Sequence, residues 1–212
     1  LDAIERGTGR LDVLIQDLLD VARLQAGQLQ VRREPLDLLP LVERIVAQER
    51  LHLPDGLHLA TDLAPSSYPV LADAGRLEQV LANLLENARK YSPDGGTVTV
   101  SLSSDPLGAT IAVRDEGIGL GPGDAERIFT PFSRSEEALR RQIPGLGLGL
   151  AICRAIVEQH GGTLRAVGAG EGRGTTFLLR LPAPVGEEDG MGDGVVGDGM
   201  ESVASLGPDS AA

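Results

Sequence analysis

The sequence is poor in aromatic residues. Tyr68, Tyr91, Phe129, Phe132 and Phe177 are the whole set among 212 positions, and tryptophan is absent. A core built from this chain must therefore be aliphatic, which 42% hydrophobic residues allow. Cysteine is scarcer still. Cys153 alone excludes an internal disulfide and reads as a small buried residue on a helix. Positive charge is in deficit, with 19 Lys and Arg against 31 Asp and Glu, a net −12. This argues against nucleic-acid binding, which leaves a basic footprint. No apolar run is long enough to span a membrane, and no signal peptide opens the chain. Leu1 is not Met and falls inside a helical pattern, so the chain reads as part of something longer.

The acids are unevenly placed. Glu187, Glu188, Asp189, Asp193, Asp198, Glu201 and Asp209 lie in the last thirty residues, which hold no Lys or Arg; without them the charge is −5. That stretch has no aromatics and seven glycines. It cannot bury enough apolar surface to offset chain entropy, so 183–212 is expected to be a disordered acidic, Gly-rich tail.

Elsewhere the patterning is regular. Ile4, Leu11 and Leu18 recur every seven residues, as do Leu14 and Val21, and Ile15, Leu19 and Ala22 widen the stripe. This predicts a helix over 1–26 with the seam of a helical hairpin or bundle arm, ended by Gly27. A weakly alternating strand over 28–36 and an amphipathic helix over 38–50 follow. Strands are expected at 57–63 and 70–72. Over 73–90, Leu77, Val80, Leu81, Leu84, Leu85 and Ala88 keep strict helical spacing. Strands at 97–103 and 109–114 precede a Gly-, Pro- and Ser-rich loop from about 116 to 146. A helix over 147–160 and strands at 163–168 and 175–181 complete the pattern.

Four segments carry chemistry. On the helix over 73–90, Asn83, Asn87 and Lys90 fall within about 60° of one another, beside the apolar stripe. Two amides and an ammonium suit a magnesium–polyphosphate group, although such a face is also common on solvated helices. Asp115-Glu116-Gly117-Ile118-Gly119 follows a strand; its carboxylate can accept from an adenine amino group, or the segment is a plain turn. Gly145, Gly147 and Gly149 alternate into a helix start, where backbone N–H groups favour anions, yet the spacing is neither a P-loop nor a dinucleotide fingerprint. Gly172-Arg173-Gly174-Thr175 enters the last strand, as a close approach or a hairpin turn.

The order of these segments is more telling than any one of them. LEQVLANLLENARKYSP (77–93), VRDEGIGL (113–120), IFTPFSR (128–134), GLGLGLAICRAIVEQHGG (145–162) and GRGTTFLLRLP (172–182) resemble the N, G1, F, G2 and G3 boxes of sensor histidine kinases, in family order. RLDVLIQDLLDVARLQAGQL (10–29) resembles the second helix of that family's dimerisation hairpin. The resemblance implies an α+β fold, the two-layer Bergerat sandwich of a mixed sheet backed by helices. It divides the chain into a partial hairpin (1–27), an ATP-binding catalytic domain (28–182) and the tail (183–212).

The resemblance also implies roles. Asn87 would coordinate Mg²⁺, Asn83 would meet phosphate or metal-bound water, and Lys90 would meet phosphate. Tyr91 would lie against adenine, Asp115 would take its amino proton, and Gly117 and Gly119 would shape the pocket. Gly145, Gly147, Leu148 and Gly149 would stand at the lid hinge and the phosphates, and Thr175 would line the adenine pocket. Phe129 and Phe132 would anchor the lid. Arg134, Arg140, Arg141 and Gln142 are candidates for the γ-phosphate, Arg134 foremost, or else belong to a solvated mobile loop. Related ATPases and serine kinases carry a general-base Glu four residues before the metal-binding Asn; here that position is Asn83, which favours a histidine acceptor. None of His52, His58 and His160 fits the family's phosphoacceptor, so that histidine is expected on a preceding helix. The implied partners are a response regulator receiver domain and a second copy bound through the hairpin. A membrane would be met only through preceding segments, leaving this part cytoplasmic. The remaining alternatives are a non-catalytic nucleotide-binding module or a related ATPase or serine kinase.

Overall fold

The structure, a computed structural model, describes residues 15–16, 18–24, 26–168, 170 and 172–184. The first half of the expected hairpin seam and nearly all of the tail lie outside the described residues. Residues 15–16 and 18–24 are helical (α1). Strand β1 (Glu34–Asp37) leads into α2 (Leu38–Arg50), then β2 (Leu57–Leu63), β3 (Pro69–Ala72) and α3 (Ala74–Lys90). Strands β4 (Gly96–Asp105) and β5 (Gly108–Arg114) follow. Two short helices, α4 (Asp124–Arg127) and α5 (Glu136–Arg140), precede α6 (Gly149–Gln159), β6 (Thr163–Gly168) and β7 (Thr175–Pro182).

A five-stranded mixed sheet runs in the order β2-β4-β5-β7-β6. Only the β2–β4 pair is parallel, and β1 and β3 form a separate antiparallel pair. Val98, Val100 and Leu102 on β4, Ile111 and Val113 on β5, and Phe177, Leu179 and Leu181 on β7 are buried at alternate positions. They form one core with Leu77, Val80, Leu81 and Leu84 of α3, Ile152, Ile156 and Val157 of α6, and Leu41, Val42 and Ile45 of α2. The result is the expected two-layer α+β sandwich with an almost wholly aliphatic interior. At about 25 cal/mol per Å² of apolar area, branched aliphatics at near-zero exposure are an adequate driving force without aromatic bulk.

Helix boundaries follow local chemistry. Asp37 and Asp73 cap α2 and α3 by accepting from Leu39 N and Arg76 N, contacts worth about 1 kcal/mol each. The strand expected over 28–36 is confined to Glu34–Asp37, because the only strand pairing there is with β3. The long loop over 116–146 contains α4 and α5, which no periodicity announced.

The first helix turns unexpected residues inward. Val21 is buried against the core, whereas Ile15, Leu18 and Leu19 of the expected seam are about half exposed. Asp20 is fully buried and accepts from Arg76 Nη1 at 3.0 Å, Gln79 Nε2 at 2.8 Å and Gln16 Nε2 at 3.3 Å. The helix is thus fastened to the first turns of α3. Among the described residues, no helix is long and apolar enough to cross a membrane.

Candidate nucleotide site

The cleft is made by two antiparallel helices in fixed register. At one end, His160, at the C-terminus of α6, meets Asp73 at the start of α3. Its Nε2 accepts from Asp73 N at 2.9 Å and its Nδ1 is 2.7 Å from Ile156 O. The neutral ring satisfies both contacts, and burial pushes the imidazole below its ordinary value. Midway, Cys153 Sγ lies 3.9 Å from Val80 O. At the far end, Gly149 at the start of α6 sits against Asn83, and a Cβ there would run into the Asn83 amide. Four residues earlier, Gly145 has φ +150, and a Cβ there would strike Lys90 Nζ. Glycine spacing in one segment thus matches amide and ammonium spacing in the other.

Between these walls lies a cavity of about 680 Å³. Asn83, Asn87, Lys90 and Tyr91 line it from α3, and Gly145, Gly147, Leu148 and Gly149 from the opposite side. Asp115, Gly119 and Thr175 close the deep end, and Arg134 faces in from the lid side. Arg140, Arg141 and Gln142 apart, the residues expected from the sequence to meet nucleotide converge on this cavity except Gly117, which stands behind the wall. A Cβ on Gly117 would strike Tyr91 O, to which Ile118 N donates at 2.9 Å.

The polar groups are pre-set. Asn87 Nδ2 donates to Asn83 Oδ1 at 2.9 Å, so the Oδ1 of Asn87 is left for a ligand. Lys90 Nζ stands 5.0 Å over the Tyr91 ring. Asp115 is buried, with Oδ1 accepting from Gly117 N at 2.9 Å and Thr175 N at 3.2 Å. Burial pushes its carboxyl above the usual range, with those two amides working the other way. Burial likewise raises the Tyr91 phenol, against the opposing charge of Arg134. Among the described residues, no cluster of three His, Cys, Asp or Glu could hold a metal. One amide oxygen beside a phosphate-sized cavity still fits Mg²⁺, which keeps its waters and leans on phosphate oxygens.

Several expectations are refined. Phe129 is buried in the core, but Phe132 is 63% exposed and does not line the cavity. Arg140 pairs with Glu137, and Arg141 with Glu137 and Asp94, so both are spent outside the cavity. Gln142 takes φ +52 to reverse the chain after α5. The sequence reading missed the apolar lining of Ile118, Leu120, Ile128 and Phe177. Ile118 stood between two glycines that drew all the attention, and Phe177 was legible only as a strand residue. Arg154 was also missed: its guanidinium stacks 3.8 Å over Phe129 and bonds Glu126 at 3.1 Å, fixing the foot of the lid to α6.

With this geometry in place, comparison with known proteins is informative. A family model described as histidine kinase-, DNA gyrase B-, and HSP90-like ATPase matches residues 72–185. The signal transduction histidine-protein kinase/phosphatase MprB of Mycobacterium avium is 39% identical over 176 residues, covering 81% of this chain and 32% of that protein. The sensor histidine kinase WalK of Bacillus subtilis is 34% identical over 184 residues, covering 86% of this chain and 30% of that protein. The chain thus spans about a third of the length of these relatives. Full-length ShkA in complex with AMPPNP superposes with a TM-score of 0.71 at 30% identity, covering 85% of this chain and 38% of that one.

Proposed function

The chain belongs to the histidine kinase-, DNA gyrase B- and HSP90-like ATPase family, and from that premise we propose that it is the ATP-binding catalytic portion of a sensor histidine kinase. The supporting observation is the meeting of Asn83, Asn87 and Lys90 with the glycine segment 145–149 across one cavity, with buried Asp115 at its deep end. Adenine enters against Tyr91, Ile118 and Phe177, and its amino group donates to Asp115. The polyphosphate lies between Lys90 and the α6 N-terminus, where free N–H groups and the helix dipole favour anions. Asn87 Oδ1 would hold Mg²⁺, which when bound neutralises phosphate charge, and Asn83 would meet phosphate or metal-bound water.

The reaction is γ-phosphoryl transfer. A neutral imidazole nitrogen attacks phosphorus, the bond to the β,γ-bridging oxygen breaks, and ADP leaves. No carboxylate is needed to deprotonate the attacking nitrogen, consistent with Asn83 standing where related hydrolases carry a base. Catalysis rests on positioning and charge neutralisation. The acceptor histidine is supplied from outside the described residues. His160 is buried and committed to Asp73 and Ile156, while His52 and His58 are exposed on a turn and on β2. The relay partner is a response regulator receiver domain, and α1 contributes the half-exposed Ile15, Leu18 and Leu19 to a dimerising hairpin. The site works on the cytoplasmic side, where ATP is.

Calorimetry on Asn87→Ala tests the reading. Mg-ATP binding should be lost while the fold survives; unchanged affinity removes Asn87 from the site. Labelled ATP with a separate acceptor-helix domain should give acid-labile phosphohistidine, and none at all would leave only a nucleotide-binding module.

A further inference from the structure

The five-residue helix α5 roofs one side of the cavity, and it is far too short to be stable alone, since isolated helices below about 12–15 residues are marginal. Something tertiary must hold it. Ser135 caps it by accepting from Ala138 N at 3.2 Å. After α5, Gln142 reverses the chain and Ile143 N donates back to Ala138 O at 3.0 Å. Ala138 and Ile143 are buried with Ile118 in a small cluster, separate from the main core, against which Tyr91 packs. A charged group, Arg134, engages this turn's carbonyls. Its Nη2 donates to Ala138 O at 3.3 Å and, more closely, to Ile143 O. Its Nε is buried without a hydrogen-bond partner.

We infer that Arg134 is a positioning residue of the lid, a strap across α5, rather than a ligand of the γ-phosphate. This rests on the nucleotide-site reading above and deepens it. One guanidinium nitrogen, Nη2, donates to two carbonyls that the reversed chain brings together, closing the ring from residue 134 to residue 143. In doing so it seats Ala138 and Ile143 on Ile118 and Tyr91. It thereby holds Ser133, Ser135, Pro144 and Gly145 as cavity wall. Arg134 acts on nucleotide through that wall. Charge-assisted hydrogen bonds to carbonyls are stronger than neutral ones, and a lysine ammonium ends one bond short of the position Nη2 occupies.

The test begins without nucleotide. Hydrogen exchange of the whole chain should show the Ile143 and Arg141 amides exchanging roughly tenfold faster or more in Arg134→Ala and Arg134→Lys. Amides of β5 and β7 should be unchanged, which also reports that the fold is intact. Unchanged exchange at Ile143 overturns the strap, whether or not the chain binds ATP. In the second arm, ATP and ADP affinities should fall by the same factor in both variants, and Ile143→Ala should reproduce that fall without altering charge. A loss confined to ATP and restored by lysine would make Arg134 a γ-phosphate ligand and overturn the inference. Failure of the unmutated chain to bind either nucleotide would sink the site reading alone.

Discussion

The floor of the cavity and its lid are built on opposite terms. The floor is α3 and α6 on the sheet, long elements with aliphatic faces at near-zero exposure and their ends tied through His160 and Asp73. The lid from 120 to 148 holds helices of four and five residues, reversals at Phe132 (φ 64) and Gln142 (φ 52), and two buried side chains, Ala138 and Ile143, that cluster on Ile118. Its two ends are anchored in the core by Ile128, Phe129 and Leu148, and between them order comes from single polar ties such as those of Arg134 and Ser135. The floor therefore rises and falls with the whole fold, while the lid opens locally at far lower cost. Ligand groups that must be accurately placed sit on the floor, and those that must admit and release nucleotide sit on the lid.

The largest way to break this contrast is at the core. Leu84→Ala removes a fully buried side chain of α3 and should cost about 2–5 kcal/mol in urea unfolding. A loss well below 1 kcal/mol would mean the floor is as loosely built as the lid. Next comes Gly149→Ala. Alanine is the better helix former, so stability should change little, but its methyl would displace the Asn83 amide. Nucleotide affinity should fall about tenfold or more in calorimetry, roughly 1.4 kcal/mol or above. Equal affinity would show that the helix register does not set the site.

The smallest effect should appear with acid. The folded chain favours neutral His160, whose pKa burial depresses. Its contribution is therefore complete above the unfolded value of about 6.5 and is lost as pH falls through the lower folded value. The urea midpoint should drop on moving from pH 7.5 to 5, and His160→Gln should remove that component. An identical pH profile in the variant would mean that the tie between the helix ends does not titrate.

Legibility divides along the same line. The sequence-predicted bounds of α2 and β2 match the structure, and those of α3 and β5 fall within a residue, because periodic burial of leucine and valine is a local signal of a global core. The polar face of α3 and the glycines of 145–149 were read as separate motifs. That Gly149 rests on Asn83 and Gly145 on Lys90 is a tertiary fact, invisible to spacing within either segment. Helices α4 and α5 were missed because one turn carries no period and forms only on the surface that receives it. Asp20 falls on no motif or apolar stripe, and only the docking of α1 on α3 makes it the buried end of a polar network.

The antiparallel register of α3 and α6 also behaves as a gauge. Its zero is the His160–Asp73 tie, and its reading is the seating of Gly149 on Asn83. Inserting one residue into α6 would rotate everything beyond it by about 100° and advance it by about 1.5 Å. Either the glycine would then leave the amide or the apolar residues beyond the insertion would turn off the core. The length of α6 is therefore a specification rather than an accident. A graft of this site into another scaffold would have to carry both helices and the His160 tie as one piece.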